Sequence, residues 1–312
     1  MINRFSKKFK KRISSRTAKD NIEYYLYMLP VIALIIIFYY IPIFGVVIAF
    51  KDYVPGGGFF SKVAPWVGLK HFRNFVESYY FTRIMGNTLF LNLLGLFMSF
   101  WVPIAFALIL NEVRFSKIKK TVQTASYLPH FISNVVIVSM FLGYIADNGL
   151  LIRLLALLGI KVSSLNTNAK FFPWYYTFMN TWQSFGWSSI LYMSTISSID
   201  PTLYEAAEVD GAKRWKKMWH ITLPHMKSLI IIQLIFYIGG MLSSNTEKIL
   251  LFYNESVYST MDVIGTYVYR DSLLGGRYSY GTAVNLLMSI FGFTLTLIAN
   301  KCSAKFADYS LW

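Results

Sequence analysis

Residues 200–227 carry the densest pattern of chemically suggestive side chains in the sequence. Asp200 followed by Pro201 makes a helix start. The carboxylate is placed to accept free first-turn N–H groups, and proline sits where its missing N–H costs nothing. Glu205, Ala206, Ala207 and Asp210 continue that helix, with a small face at the two alanines. Gly211 suits its end or a sharp bend, because glycine takes a positive φ without penalty. Ala212–His220 reads as a second short helix, with Lys213, Arg214, Lys216 and Lys217 set around Trp215 and Trp219. Ile221 and Leu223 follow, and Pro224 is placed to open the next apolar run. The pattern predicts a compact, bent two-helix projection, although a plain surface loop would satisfy the same residues.

Reaction chemistry finds little support elsewhere. Cys302 is alone, which excludes a disulfide framework and a thiolate metal site. His71, His130, His220 and His225 never fall at the i, i+4 spacing that puts two metal ligands on one helix face, so they read as structural or interfacial. Asp52, His71, Asp147 and Glu247 lack the convergent spacing that a polytopic membrane enzyme would need. Gly56, Gly57 and Gly58 are not followed by G-K-[ST], and no such phosphate loop occurs anywhere, so the chain carries no P-loop ATPase of its own. No segment resembles a channel filter.

The apolar stretches contain neutral polar and aromatic groups: Asn87, Asn92, Ser133, Asn134, Tyr144, Asn180, Trp182, Gln183, Trp187, Tyr192, Gln233, Asn245 and Asn285. Amides hydrogen-bond sugar hydroxyls, and Trp or Tyr planes receive apolar sugar faces. The same groups also tie helices together in membranes. As pathway candidates, Asn180, Trp182, Gln183 and Trp187 come first, with Tyr144 and Asn245 beside them.

The elements that must position these residues are membrane helices. Of 312 residues, 55% are hydrophobic and only 14% charged, against about 25% charged in an ordinary soluble domain. Six runs free of Asp, Glu, Lys and Arg stand out: Tyr24–Phe50, Ile84–Leu110, Val122–Ala146, Phe172–Ile199, Ser228–Thr246 and Gly281–Asn300. About 20 helical residues cross a hydrocarbon core of about 30 Å, so each is read as one crossing. The first run is too long for a cleaved signal, and Pro30 and Pro42 predict a kink. Leu150–Leu158 is too short to span and is expected along the membrane interface. The chain therefore reads as an all-α integral membrane protein, with a basic tail over residues 1–20 and one membrane domain over residues 21–312.

Orientation follows from Lys and Arg. The side holding the amino-terminal tail, residues 111–121, 200–227 and the carboxyl tail collects 19 of the 30 basic residues, against 11 in the longer loops opposite. Positive charge stays cytoplasmic, which puts both termini inside. The net charge of +15 is then a matter of topology and lipid headgroups rather than nucleic acid, for which no recognition motif is present.

Glu205-Ala206-Ala207, Gly211 and Ile221-x-Leu223-Pro224 resemble the E-A-A-x(3)-G-x(9)-I-x-L-P signature of ABC importer permeases at every marked position. Pro42–Phe50, Asn111-Glu112-Val113, Gln123–Ser133, Tyr267-Val268-Tyr269-Arg270 and Tyr309-Ser310-Leu311-Trp312 look like the subgroup that serves oligosaccharides and polysaccharide fragments, in the maltose-transporter-like family. The resemblance implies a type I permease fold of six membrane helices, with a coupling helix at about residues 200–224 that docks on a separate ATPase. It implies a second homologous permease, two ATPase subunits binding ATP and magnesium, an extracytoplasmic solute-binding protein, and the bacterial plasma membrane as location. No cofactor is expected on this chain. A secondary carrier is the alternative, weakened by the lack of charge within any run. Glu205→Lys is expected to leave a folded membrane protein that no longer couples ATP hydrolysis to uptake; wild-type uptake by that variant would defeat the assignment.

Overall fold

The computed structural model describes residues 21–56, 58, 64–160, 162, 165–243, 246–307 and 309–311, so the basic tail over residues 1–20 lies outside the described residues. Its helices are α1 (Asn21–Phe50), α2 (Lys70–Val76), α3 (Phe81–Asn111), α4 (Ser116–Tyr127), α5 (Asn134–Ile145), α6 (Leu150–Leu157), α7 (Phe172–Ser197), α8 (Pro201–Val209), α9 (Arg214–Gly239), α10 (Thr246–Phe252), α11 (264–274) and α12 (Tyr278–Ala307). Among the described residues there is no β-strand, only a single bridge between Lys51 and Trp66.

Five stretches are long and apolar enough to cross a bilayer: α1, α3, Asn134–Leu157, α9 and residues Tyr278–Lys305 of α12. Helix α7, with 26 residues, has the length for a sixth crossing but is too polar to rank with the other five. Its Thr177, Thr181, Gln183 and Ser189 are buried in protein rather than facing lipid, which explains how so polar a helix occupies this position.

Two sequence expectations need correction. The run Val122–Ala146 is not one rod. It is α4, a 3-10 turn at Leu128–Phe131 containing Pro129, extended backbone at Ile132 and Ser133, and then α5. Ser133 caps the new helix by accepting the Val136 N–H at 3.4 Å. The fifth crossing also does not begin at Pro224: α9 starts at Arg214 and runs through the proline to Gly239.

Three interior prolines share one solution. Pro42, Pro103 and Pro224 each follow a widened π-type turn, at Ile36–Tyr40, Leu96–Phe100 and Met218–Thr222. A proline donates nothing to the carbonyl four residues earlier and its ring crowds that carbonyl. Those carbonyls belong to Phe38, Ser99 and His220, each inside the widened turn. Loosening the turn keeps the helix continuous where a kink or break is the other outcome.

Three cores lie along the molecule. One joins α5, the first half of α7 and α10, through Ile137, Phe141, Phe172, Met179 and Phe252. The second joins α2, the start of α3, α11 and the start of α12, through Phe75, Ile84, Tyr267, Tyr280 and Val284. The third joins the second half of α3 to the second half of α7 and to α9, through Ile104, Ala107, Tyr192, Ile196 and Met226. Helix α7 is thus the shared spine of the first and third cores. Because lipid tails are as apolar as leucine, close packing and internal hydrogen bonds hold such helices together. Gly186 lets α4 approach α7 until a Cβ there would collide with the Ser126 backbone, and Gly239 lies against Thr296 and Gly292 of α12. By contrast, α1 exposes Ile32–Phe38 and most of its other large side chains up to Phe44, and enters the core only at Ile48 and Ala49. Helix α6 packs Leu151, Ile152 and Leu155 inward and leaves Leu150, Leu154 and Leu157 exposed.

The start of α3 is pinned by charge. Asp262 is fully buried; Arg270 donates to both its oxygens at 3.1 and 2.8 Å, and Arg83 reaches one of them at 3.4 Å. Thr266 donates to the same carboxylate at 3.0 Å. Breaking a buried ion pair by removing one partner is strongly destabilising, because the other charge stays behind. Asp262→Asn is expected to lower stability by roughly 3 kcal/mol, read as a fall in unfolding temperature in detergent. An unchanged temperature would show that the cluster is not a structural pin.

A docking hairpin and a polar groove

The hairpin between α7 and α9 forms as its residues dictate. Asp200 accepts the Thr202 N–H at 2.9 Å, and Pro201 occupies the first turn of α8. That N–H holds the Asp200 carboxyl below the usual carboxylate range. At the other end, Ala212 donates to the Ala207 carbonyl at 2.8 Å and Gly211 to the Glu208 carbonyl at 3.0 Å. With Gly211 at φ 75°, this pair of bonds is a Schellman cap. Lys213 then lies in extended conformation and α9 begins.

Three contacts fix the hairpin on the body. Tyr204 and Thr222 share a hydrogen bond at 2.9 Å, Lys217 reaches Glu208 at 3.1 Å, and α8 borders a cleft of about 670 Å³ closed by Asn111, Glu112 and Arg114 from the end of α3. What faces outward is Glu205, Ala206, Asp210, Gly211 and Pro224, together with Leu203, Trp215, Trp219 and Val209, which is 89% exposed. Ala207, Ile221 and Leu223 are half-buried and seat the hairpin. An exposed acidic and apolar patch held by a rigid two-helix corner is built for contact with another surface. Charge signs in the sequence pointed to Lys213–Lys217, but the outward Leu203 and Val209 gave no signal there.

A groove runs along α3, α7 and α9. One part, about 730 Å³, is lined by Ser99, Ser184, Trp187, Ser188, Gln233, Tyr237 and apolar neighbours. A second part, about 150 Å³, is lined by Asn92, Tyr176, Thr177, Asn180, Ser243 and Ile249. Ser99 and Tyr237 line both, so the two adjoin. Tyr237 donates to the Asn92 carbonyl at 2.9 Å and Ser99 pairs with Thr181 at 2.8 Å. Gly95 makes room here, since a Cβ would displace the Tyr237 hydroxyl.

Of the residues proposed from sequence for a pathway, Asn180 and Trp187 line this groove. Trp187 also stacks on His130 with ring centroids 4.6 Å apart. Trp182 and Tyr144 instead line an apolar pocket with Phe141, Tyr175 and Leu154 beside α6. Gln183 is buried and donates to the Ile132 carbonyl at 3.2 Å, serving the break between α4 and α5. Asn245 lies outside the described residues. Asn87 and Asn134 likewise bind structure, at Ser259, Asp262 and Glu247.

Lys248 was not singled out by sequence reasoning. It sits just past the fifth apolar run, yet its ammonium donates to Asn180 Oδ1 at 2.8 Å and the residue is only 9% exposed. Absence of charge within each run therefore did not mean absence of charge between the helices. No local pattern announces that contact, which depends on α10 folding back against α7. Hairpin strain is open to test: nothing crowds a Cβ at Gly211, so only its φ penalises substitution. Gly211→Val is expected to speed amide exchange at Gly/Val211 and Ala212 by about ten-fold relative to Gly211→Asn, since a β-branched residue resists that conformation. Equal exchange in both variants would refute the account.

Comparison with known proteins agrees with this geometry. Residues 104–305 match the family described as binding-protein-dependent transport system inner membrane component. The polygalacturonan/rhamnogalacturonan transport system permease protein YteP of Bacillus subtilis (strain 168) is 40% identical, over 99% of this chain and 95% of the relative. The arabinooligosaccharides transport system permease protein AraP of the same organism is 26% identical, over 90% and 88%. A chain from the crystal structure of a bacterial ABC transporter involved in the import of the acidic polysaccharide alginate superposes with a TM-score of 0.85 at 35% identity, covering 94% of this chain and 98% of that one. A second structure of the bacterial alginate transporter, with an alginate pentasaccharide-bound periplasmic protein, gives 0.86 at 35% identity, covering 95% and 99%. A body that is helical among the described residues, an exposed two-helix hairpin carrying every signature residue, and these likenesses together assign the chain: it belongs to the family of inner membrane components of binding-protein-dependent ABC transport systems.

Proposed function

We propose that this permease subunit forms half of the membrane path of an ATP-driven importer for fragments of acidic polysaccharides, and that residues 200–224 are its coupling segment. Transport rather than catalysis is the activity of this family, and oligosaccharides or polysaccharides are the cargo of the relatives. The acidic class is favoured by two of the stronger likenesses, one to a permease for polygalacturonan and rhamnogalacturonan and one to an alginate importer. The observation that carries the coupling role is the exposed, rigidly capped hairpin continuous with α9.

In this reading the partners are a second permease, two ATPase subunits that hold ATP and magnesium, and an extracytoplasmic solute-binding protein. Both termini and the hairpin face the cytoplasm. Glu205 and Asp210 meet polar or basic groups of the ATPase, and Ala206 allows close approach. Because α9 is one helix from Arg214 to Gly239, a displacement of the hairpin is passed to Gln233 and Tyr237 at the groove. Closure of the ATPase dimer on ATP then shifts the groove between outward and inward access. Asn180, Ser184, Trp187 and Gln233 offer hydrogen bonds and one aromatic plane to a passing sugar. The permease makes and breaks no bond in its cargo.

The test is ATPase activity of the complex reconstituted in lipid, with and without the loaded binding protein. A P-loop ATPase is expected to co-purify, with stimulation by the loaded binding protein falling at least ten-fold in Glu205→Lys. Full stimulation in that variant would remove the coupling role from the hairpin. A chain that purifies without any ATPase would overturn the importer reading altogether.

A further inference from the structure

We propose that the cleft between the hairpin and the end of α3 binds the phosphodiester headgroup of an anionic phospholipid. This rests on the reading that puts the hairpin on the cytoplasmic side, and it gives that side a ligand besides the ATPase.

The argument begins with charge. The cleft, about 670 Å³, is lined by four cations, Arg114, Lys213, Arg214 and Lys217, against two carboxylates, Glu112 and Glu208. Lys217 is engaged by Glu208 at 3.1 Å. Arg114, Lys213 and Arg214 are exposed, and their side chains make no hydrogen bond or ion pair among the described residues. They come from two elements, the turn after α3 and the start of α9, so the fold rather than one run of sequence gathers them. Like charges held around one cleft repel each other, and a bound anion relieves that repulsion. Arginine suits a phosphate group, because its planar fork donates two parallel hydrogen bonds.

The second part of the argument is what lies beside those cations. Phe115 follows Arg114 and is 70% exposed; Trp215 follows Arg214 and is 71% exposed. Helix α4 starts at the next residue, Ser116, and buries none of its side chains. Its first turns carry Lys117, Lys119 and Lys120 together with exposed Ile118 and Val122. Basic groups interleaved with exposed aromatic and aliphatic ones suit a lipid headgroup layer, where both kinds are satisfied. A soluble phosphate would call for the cations alone. Basic pockets beside the cytoplasmic ends of membrane helices take anionic headgroups in this way.

The cleft is also distinct from the outward patch. Tyr204, Glu208 and Ala212, spaced four apart, line it, whereas Leu203, Glu205, Val209 and Asp210 face outward. The lipid and the proposed ATPase therefore use different faces of α8. A headgroup held by Arg114 on one wall and by Lys213 and Arg214 on the other would tie the end of α3 to the hairpin.

The experiment titrates phosphatidylglycerol, and separately phosphatidylcholine with the same chains, into the full-length protein in its purified complex. Bound lipid is read by native mass spectrometry, as the ratio of the two affinities. The wild type is expected to favour phosphatidylglycerol by roughly ten-fold. The combined variant Arg114→Gln, Lys213→Gln and Arg214→Gln is expected to bring the ratio within about two-fold of unity. Because all three side chains are exposed and unpaired, these substitutions leave no buried partner behind. Lys7→Gln, Lys8→Gln and Lys10→Gln together remove the same charge from the amino-terminal tail and are expected to leave the ratio unchanged. An equal fall in that tail variant would overturn the site, since overall charge and not the cleft would be selecting the lipid. A wild type that holds both lipids equally would also overturn it and leave these cations to a protein partner. Displacement of phosphatidylglycerol by glycerol 1-phosphate at equal concentration would overturn the lipid as occupant. No step needs ATP or cargo, so the outcome is separate from that of the ATPase test above.

Discussion

A polar group left without a partner in hydrocarbon costs several kcal/mol, and this chain places many such groups in the middle of the bundle. The architecture follows from that constraint. Helix α7 carries Thr177, Asn180, Thr181, Gln183, Ser184, Ser188 and Ser189 in one stretch. No lipid-facing helix tolerates that load, so α7 is surrounded by α3, α4, α5, α9 and α10. Some hydroxyls are satisfied by the helix itself, as Thr177 by the Pro173 carbonyl and Ser184 by the Asn180 carbonyl. Others reach across, as Thr181 to Ser99. The groups that line the groove are what remain available to a passing polar molecule.

The same constraint explains how the helices treat proline. Within a bilayer a freed carbonyl has no water to turn to. At Pro42, Pro103 and Pro224 the chain widens one turn and stays helical. At Pro129 it breaks, and the Ile132 carbonyl is met by Gln183 from α7. The difference matters for mechanics. A widened turn preserves a continuous helix from the hairpin to the groove, which the proposed coupling requires.

Among the described residues, ion pairs fasten the hairpin, the surroundings of Asp262 and the loop after α1. The hairpin end has the Lys217–Glu208 pair and a basic rim. The opposite end has Asp262 clasped by Arg270 and Arg83, with Arg270 also over the Tyr258 ring at 5.1 Å and Arg83 over Tyr80 at 5.1 Å. In the loop after α1, Lys70 sits on Asp52 at 2.8 Å and holds that carboxyl below its ordinary range. Lys248 is buried apart from these clusters and ties α10 to α7 through Asn180.

Much of this was legible in the sequence. Runs free of charge pointed to the apolar helices, five of which are long and apolar enough to cross a bilayer, because hydrocarbon excludes charge whatever the fold. Asp200, Pro201 and Gly211 gave the caps of α8, because capping is a local matter of backbone N–H groups and a positive φ. The signature around Glu205 pointed to the permease family, since those positions are fixed by spacing within one short segment. Other features were decided only by tertiary contact. Gln183 looked like a sugar ligand and proved to serve the Ile132 carbonyl, because a helix elsewhere in the chain breaks beside it. Trp182 and Trp187, five residues apart, separate into an apolar pocket and the groove according to which neighbours α7 meets. Pro224 read as a helix start and is bridged by a loosened turn, an outcome set by packing on α3 and α7. Lys248, which no sequence pattern singled out, lies against Asn180, 68 positions away in the chain. Sequence determines solvent preference and local caps, which depend on neighbours a few residues apart; which polar group meets which partner is a long-range contact, and only the folded bundle sets it.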